Sequence, residues 1–293
     1  MDRAWTILEL IRWTTGYLKD KGIESPRTDA ELLLACVLKK QRLDLYLNYD
    51  QPLTGEELAQ FKAALKRRAG REPLQYITGE QEFWSLTLKT TPAALIPRPE
   101  TEVLVEEALA MVNHISSPLI LDLCTGTGAV ALALARELPE AIIFASDISL
   151  AALSLAKENL IRNGLDGRVH LALGNGLSIF RPEAKLDLIT VNPPYIPTSA
   201  LALLPPEIRH HEPAIALDGG KDGLDFIVEF VHAAAARLHP GSGVVCEIGA
   251  DQADMVVDLV AITGYYEGTR TRKDYAGRDR VVCFTKKFDD YYQ

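Results

Sequence analysis

The chain has no excess of positive charge, no long apolar run and few cysteines, and each shortage removes a class of function. Its 31 Lys and Arg are outnumbered by 40 Asp and Glu, for a net charge of -9, which argues against nonspecific nucleic-acid binding and leaves only a local basic patch as a route to it. No stretch has the length of a membrane span, and no amino-terminal apolar run resembles a signal peptide, so a cytoplasmic location without a membrane partner is expected. The four cysteines, Cys36, Cys124, Cys246 and Cys283, are widely spaced and form no metal signature. Cys36, Cys246 and Cys283 lie among apolar neighbours and read as small core residues. His210-His211 invites a metal reading, but no carboxylate or cysteine follows at a zinc spacing, and no metal is expected.

At 293 residues and 47% hydrophobic, the chain can bury a large core and divides naturally into two domains. Residues 1 to about 75 read as helical. Ile7, Leu8, Ile11 and Leu18 recur at helical intervals, Ser25-Pro26 reads as a cap and first turn, and Thr54-Gly55-Glu56-Glu57 opens another helix. On that helix Leu58, Phe61 and Leu65 share one face, and Lys62, Lys66, Arg67 and Arg68 are expected on a solvated one. From Gly79 the pattern turns to β character, with Phe83, Leu86 and Leu88 in a hairpin over 79–89. A proline-stiffened linker, Ile96-Pro97-Arg98-Pro99-Glu100, then precedes a helix carrying Val103, Leu104 and Ala108, whose opening Glu and Thr read as capping residues. The expected division is a helical domain over 1–75, a linker with a hairpin over 76–98 and a catalytic α/β domain over 99–293.

Two stretches carry chemistry. Asn192-Pro193-Pro194-Tyr195 closes an apolar run from Leu186, at the strand end where open α/β sheets keep their sites. Two prolines cannot continue a central strand and force a stiff loop. The Asn192 side-chain carbonyl and a proline backbone carbonyl are then acceptors suited to a planar NH2 group, with the Tyr195 ring available to pack on a flat substrate. A proline-rich turn with a packed tyrosine accounts equally well for the loop taken alone. The second stretch, Asp122-Leu123-Cys124-Thr125-Gly126-Thr127-Gly128, follows a short apolar strand and precedes a helical pattern over 129–138. Its glycines let a ligand approach backbone amides near a helix start. A further strand over 141–146 ends in Asp147, where such folds bind ribose hydroxyls. The turn lacks the full dinucleotide fingerprint, and a nucleoside cofactor that donates a methyl group fits both stretches.

With these residues the sequence resembles the release-factor glutamine methyltransferases, the PrmC/HemK family of class I S-adenosylmethionine-dependent enzymes. The resemblance takes in Gly79 to Phe83, Ile96-Pro97-Arg98-Pro99-Glu100-Thr101-Glu102, the turn at 122–128, Asp147 and Asn192-Pro193-Pro194-Tyr195-Ile196. It continues through Glu212-Pro213, Asp222-Gly223-Leu224, Glu247-Ile248-Gly249 and 274–282. It implies an α/β fold with a seven-stranded, mostly parallel sheet behind a small helical bundle that helps recognise the protein substrate. It further implies S-adenosylmethionine held by Cys124, Thr125, Gly126, Thr127, Gly128, Asp147, Asn175, Gly176 and Asn192, with catalysis by Asn192, Pro193 and Tyr195. Substrate contacts would come from Asn192, Pro193, Pro194, Tyr195, Arg98 and Glu100. The product would be N5-methylglutamine in the Gly-Gly-Gln loop of peptide chain release factors, made by a monomer without direct nucleic-acid binding.

Two departures are visible. Asn175 stands where the family commonly has aspartate, which weakens an expected bond to the adenine amino group, and Gly176 offers no side chain to stack on the base. Alternatives are a glutamine methyltransferase acting on a ribosomal protein, a DNA adenine N6-methyltransferase and a noncatalytic cofactor-binding module. Beyond the Asn-Pro-Pro-Tyr loop, 196–222 reads as a long irregular wall of the substrate cleft. Residues 222–239 read as a helix ended by Pro240-Gly241-Ser242-Gly243, and 244–248 as a buried strand before a helix over 251–262. Tyr265-Tyr266 and 280–285 read as a terminal strand pair joined by a charged turn over 274–280.

Overall fold

The computed structural model describes residues 5–179, 181 and 185–288. The chain divides into two compact units, Met1–Glu80 with Pro205–His211, and Gln81–Leu204 with Glu212–Gln293.

In the first unit, α1 (Ile7–Asp20) and α4 (Gly55–Ala69) each begin with a reciprocal capping box, Thr6 with Glu9 and Thr54 with Glu57. Between them lie α2 (Pro26–Leu38), which starts on a proline whose missing N–H costs nothing there, and the short α3 (Arg42–Leu47); α5 (Leu74–Thr78) follows. Leu18, Leu33, Leu34, Leu45 and Phe61 close the core. Arg68 departs from the solvated face expected of it: it is buried, three residues after Leu65 and seven after Phe61 on the same helical stripe. Its Nε donates to Asp29 at 2.6 Å, and its Nη1 donates to Glu207 at 3.2 Å, which also accepts from Arg71 at 3.0 Å. Cys36 is likewise not a core residue but exposed, whereas Cys246 and Cys283 are buried.

The second unit opens with the hairpin of β1 (Glu80–Phe83) and β2 (Leu86–Lys89). Its turn residues Trp84 and Ser85 both have positive φ, at 50° and 56°. That conformation is costly for residues with side chains, and it is held because the Trp84 amide donates to Glu102 and the Trp84 indole to Glu137. A 3₁₀ turn, Pro99–Thr101, leads into α6 (Glu102–Val112). Then β3 (Leu119–Leu123), α7 (Ala129–Glu137), β4 (Ile142–Asp147), α8 (Leu150–Arg162) and β5 (Val169–Leu173) alternate, and β6 (Leu186–Val191) ends at the Asn-Pro-Pro-Tyr loop. The helix α9 (Pro206–His211) is the segment that belongs to the first unit. It is followed by α10 (Asp225–Ala234), β7 (Leu238–Glu247), α11 (Ala253–Thr263), β8 (Tyr266–Lys273) and β9 (Asp279–Lys286).

The seven strands lie in the order β5-β4-β3-β6-β7-β9-β8, parallel except at β9, which is antiparallel to both β7 and β8. Side chains alternate between the two faces of the sheet and both faces are packed, so the central strands are mostly apolar. Ile120, Leu188 and Val245 pack into one core with Leu104 and Leu132, while Leu121, Ile189, Val244 and Cys246 pack into the other with Ile227 and Phe284.

Two expected boundaries move. The helix expected over 222–239 ends at Ala234, because Leu238 already pairs with Leu186 and the strand runs on through Pro240 and Gly241 with a shifted register. Gly241, at φ 85°, accommodates the irregularity. The segment over 196–222 is not irregular throughout but carries helical turns at Thr198–Leu203, Pro206–His211 and Ala214–Ala216. Among the described residues no helix is long and apolar enough to cross a membrane.

Replacing Arg68 with Ala leaves Asp29, itself buried, without its guanidinium. Removing one partner of a buried pair costs about 3 kcal/mol or more, so urea unfolding followed by fluorescence of Trp5 and Trp13 should show the helical unit destabilised by that order. An unchanged midpoint would mean that the pair contributes nothing to stability.

Candidate active site

The strand order reverses beside β3: the chain leaves β3 toward β4 on one side, and β6 lies on the other. At such a switch point the loops after the two strands part and open a crevice at their carboxyl ends. A cavity of about 480 Å³ lies here. Its wall contains Cys124, Thr125, Gly126 and Thr127 from the turn after β3, Asp147 from the end of β4, Asn175 and Gly176 after β5, and Asn192 and Pro194 after β6. Arg98 also lines it, whereas Gly128, Pro193, Tyr195 and Glu100 are not part of its lining.

The turn after β3 is built on three left-handed residues, Cys124, Gly126 and Gly128, at φ 55°, 55° and 83°. Gly128 is required by packing: a Cβ there would lie 2.7 Å from Leu132 Cδ1 and 3.2 Å from the Ala156 Cβ. At Gly126 the nearest atom to such a Cβ is that of Ala94 at 3.8 Å, so only the backbone conformation resists substitution. Burial, reinforced by Asp147 and Asp122, pushes the Cys124 thiol well above its usual range and keeps it protonated.

Asp147 joins the turn to the next helix. Its Oδ2 accepts from the Gly126 amide at 2.9 Å, and its Oδ1 accepts from the Ser149 amide at 2.9 Å. Each oxygen keeps a lone pair for a further donor. Asp122, the register partner of Thr190 on β6 and buried, accepts the Thr125 hydroxyl at 2.6 Å and the Thr190 hydroxyl at 2.8 Å. Desolvation pushes its carboxyl up to about 7, against the pull of those two hydroxyls.

The Asn-Pro-Pro-Tyr loop is held from several directions. Asn192 Nδ2 donates to Thr101 Oγ1 at 3.3 Å, and the Tyr195 hydroxyl donates to Glu247 Oε1 at 3.2 Å. Gln252 Nε2 donates to the Tyr195 carbonyl at 2.9 Å and to the Gly223 carbonyl at 3.2 Å. Gly219 and Gly223 lie so close that a Cβ on either would meet a loop carbonyl, that of Pro194 at 2.7 Å or of Tyr195 at 2.2 Å. The Arg98 wall is fixed in the same manner. Glu212, its side chain 1% exposed, accepts from Arg98 at 2.5 Å and from the Ile96 amide at 3.1 Å.

Thr101 and Glu102 are not the capping pair expected from the sequence. Neither caps the helix with its side chain: Thr101 faces Asn192, and Glu102 accepts from Trp84. The residues to which the sequence assigned no role are Glu212, Glu247 and Gln252. The signal for Glu247 was present, since a lone acid closing the apolar run from Val244 is improbable in a buried strand without a task. Among the described residues no group of His, Cys, Asp and Glu could hold a metal ion.

Comparison with known proteins agrees along the chain. The family model described as PrmC N-terminal domain matches residues 9–79, and the model described as Methyltransferase small domain matches residues 100–203. A release factor glutamine methyltransferase of Geobacter sulfurreducens is 46% identical over 280 residues, covering 95% of this chain and 96% of the relative. One from Moorella thermoacetica is 48% identical over 265 residues, covering 90% and 92%. In fold alone the chain is similar to a methyltransferase of Pyrococcus furiosus, with a TM-score of 0.50, 20% identity and coverage of 69% and 90%. The hMettl16 catalytic domain, solved in complex with a MAT2A 3'UTR hairpin, gives a TM-score of 0.58 at 16% identity, covering 83% and 85%.

The two glycines of the turn should respond differently to alanine. Gly126→Ala should cost only the left-handed backbone penalty of about 1–2 kcal/mol, while Gly128→Ala should cost more because the Leu132 and Ala156 contacts must also give way. Thermal unfolding of both variants decides it; equal losses would contradict the packing role of Gly128.

Proposed function

The chain belongs to the release factor glutamine methyltransferases, and from that premise we propose that it transfers a methyl group from S-adenosylmethionine to the side-chain amide nitrogen of the glutamine in the Gly-Gly-Gln motif of peptide chain release factors. The observation that carries this reading is the orientation of Asn192. Its Nδ2 is engaged by Thr101, which leaves its Oδ1 for an incoming N–H donor, and Asn192 lines the cavity.

The cavity suits the donor. The free lone pairs of Asp147 fit ribose hydroxyls, the backbone of Cys124 to Thr127 has room beside Gly126, and Asn175 and Gly176 border the position of the base. Asn175 carries no charge, so its bond to an adenine amino group is weaker than that of the aspartate common in the family. S-adenosylmethionine, when bound, supplies a methyl made electrophilic by a sulfonium. The protein's share is placement: Asn192 Oδ1 accepts one amide hydrogen of the glutamine and the carbonyl of the adjoining Pro193, itself outside the cavity lining, is assigned the other, which holds the nitrogen lone pair toward the methyl. No base is needed beforehand, because the amide nitrogen sheds its proton to water once methylated. Arg98, fixed by Glu212, borders the same space and serves the protein substrate.

Asn192→Ala should lower the single-turnover transfer rate at saturating donor and release factor by about 100-fold, with donor affinity changed far less, because the lost acceptor matters most as the nitrogen aligns. A normal rate would remove Asn192 from catalysis. In calorimetry, Asp147→Ala should weaken S-adenosylmethionine binding by about 1–3 kcal/mol; unaltered affinity would confine Asp147 to tying the Gly126 turn to α8.

A further inference from the structure

The helical unit holds a second cavity, a groove of about 520 Å³ lined by residues of α1 and α4 and their ends. Both helices pack on α2. Leu10, Phe61 and Leu65, all buried, give the groove an apolar floor. Along α1, Trp13, Tyr17 and Lys21 recur every fourth residue and form one wall. Trp13 is 50% exposed. A large aromatic side chain left in water beside an apolar floor marks a surface that a partner covers.

The charges around this groove have one sign. Lys62 and Lys66, both exposed, stand four residues apart on α4, Lys21 ends the α1 wall, and no Asp or Glu is part of the lining. The next two basic residues on α4 are already paired, Arg67 with Glu72 and Arg68 with Asp29. Among the described residues no carboxylate pairs with Lys21, Lys62 or Lys66.

Aromatic rings beside lysines also suit a nucleic acid, but these rings are engaged with one another. Trp13 and Tyr17 stack with centroids 5.3 Å apart at 8°, Lys21 Nζ lies 5.7 Å over the Tyr17 ring, and Trp5 meets Trp13 edge-on at 6.1 Å. A base needs an open ring face to stack on. The groove offers instead an apolar floor between lysine rims, which suits apolar side chains flanked by acidic ones. Its α4 wall runs from Leu58 to Ala69, on the order of 16 Å or three helical turns at 1.5 Å per residue. A helix of that length lays apolar residues at i, i+3 or i+4, and i+7 on such a floor.

We propose that this groove docks an acidic amphipathic helix of the protein substrate, with its apolar stripe on Leu10, Phe61 and Leu65 and its carboxylates against Lys21, Lys62 and Lys66. The identity of the partner rests on the release-factor reading above. Docking here grips the substrate away from the acceptor glutamine. It therefore lowers KM and takes no part in the transfer step. Its electrostatic share weakens with salt.

The experiment uses the full chain and intact release factor. Wild type, Trp13→Ala and the double variant Lys62→Glu, Lys66→Glu are compared in steady-state methylation at about 50 and about 300 mM NaCl, with donor affinity and thermal unfolding measured for each. KM for release factor should rise about tenfold or more in both variants, with kcat and donor affinity close to wild type. The wild-type KM should rise with salt, and that of the charge-reversed variant should not. Carbodiimide coupling of wild type to release factor, read by tandem mass spectrometry, should join Lys62 or Lys66 to acidic residues of a single helix. The coupling needs no variant, so a variant that fails to fold leaves the test standing. A charge-reversed protein with the wild-type KM, or couplings only to acidic residues outside a helix, overturns the proposal. A dimer of the chain alone that Trp13→Ala dissolves would assign the groove to a second copy, and ribosomal RNA retention that the charge-reversed variant loses would assign it to nucleic acid; either overturns it. Wild type that leaves release factor unmethylated overturns the parent reading as well, so wild-type activity tells the two failures apart.

Discussion

A single buried carboxyl holds the two halves of the site together. Asp122 accepts one hydroxyl from the turn after β3 and one from β6, Thr125 at 2.6 Å and Thr190 at 2.8 Å. The first of these segments lines the cavity, and the second ends at Val191, immediately before Asn192. Parallel pairing of Asp122 with Thr190 makes the bond possible, and sheet alternation puts both on the face that packs against α6. The same alternation places Glu247, two residues after Val245, on that face, where it accepts the Tyr195 hydroxyl. Charge buried there is costly, which is why both acids are pushed up to about 7 and why hydroxyl donors surround them.

Around this centre, the short motifs scattered through the second half of the chain act as supports for one loop. Gly219 and Gly223 admit the carbonyls of Pro194 and Tyr195, and Gln252 donates to the latter. Glu212 holds Arg98 and the Ile96 amide. None of these residues has to touch a reacting atom to matter. Catalysis by orientation depends on sub-ångström placement, and rigid backing is what supplies it.

Much of the frame was legible in the sequence. Apolar runs ending in Asp122, Asp147 and Asn192 mark strand ends, and glycine and proline mark the turns that follow. The helix starts at Ser25-Pro26 and Thr54, the hairpin near Trp84 and the terminal strand pair follow from local chemistry. Local patterning failed where a distant partner decides the outcome. Arg68 reads as solvated because Asp29 and Glu207 lie 39 and 139 residues away. Thr101 reads as a cap because Asn192 lies 91 residues on. The run of alanines before Leu238 hides the helix end, because only pairing with Leu186 reveals the strand. Cys36 shows the reverse error, since apolar neighbours in sequence do not bury a residue on the outer side of a helix.

The central claim is that the acceptor is a protein amide nitrogen, selected by an asparagine carbonyl at the end of β6. The most direct measurement is to incubate the full chain with methyl-labelled S-adenosylmethionine and, separately, with a peptide chain release factor, ribosomes and unmethylated DNA, and to locate the label by tandem mass spectrometry. Label on the side-chain amide of the release-factor glutamine is expected, with none on the other acceptors. Label on a ribosomal protein or on adenine, or no label on release factor, would contradict it.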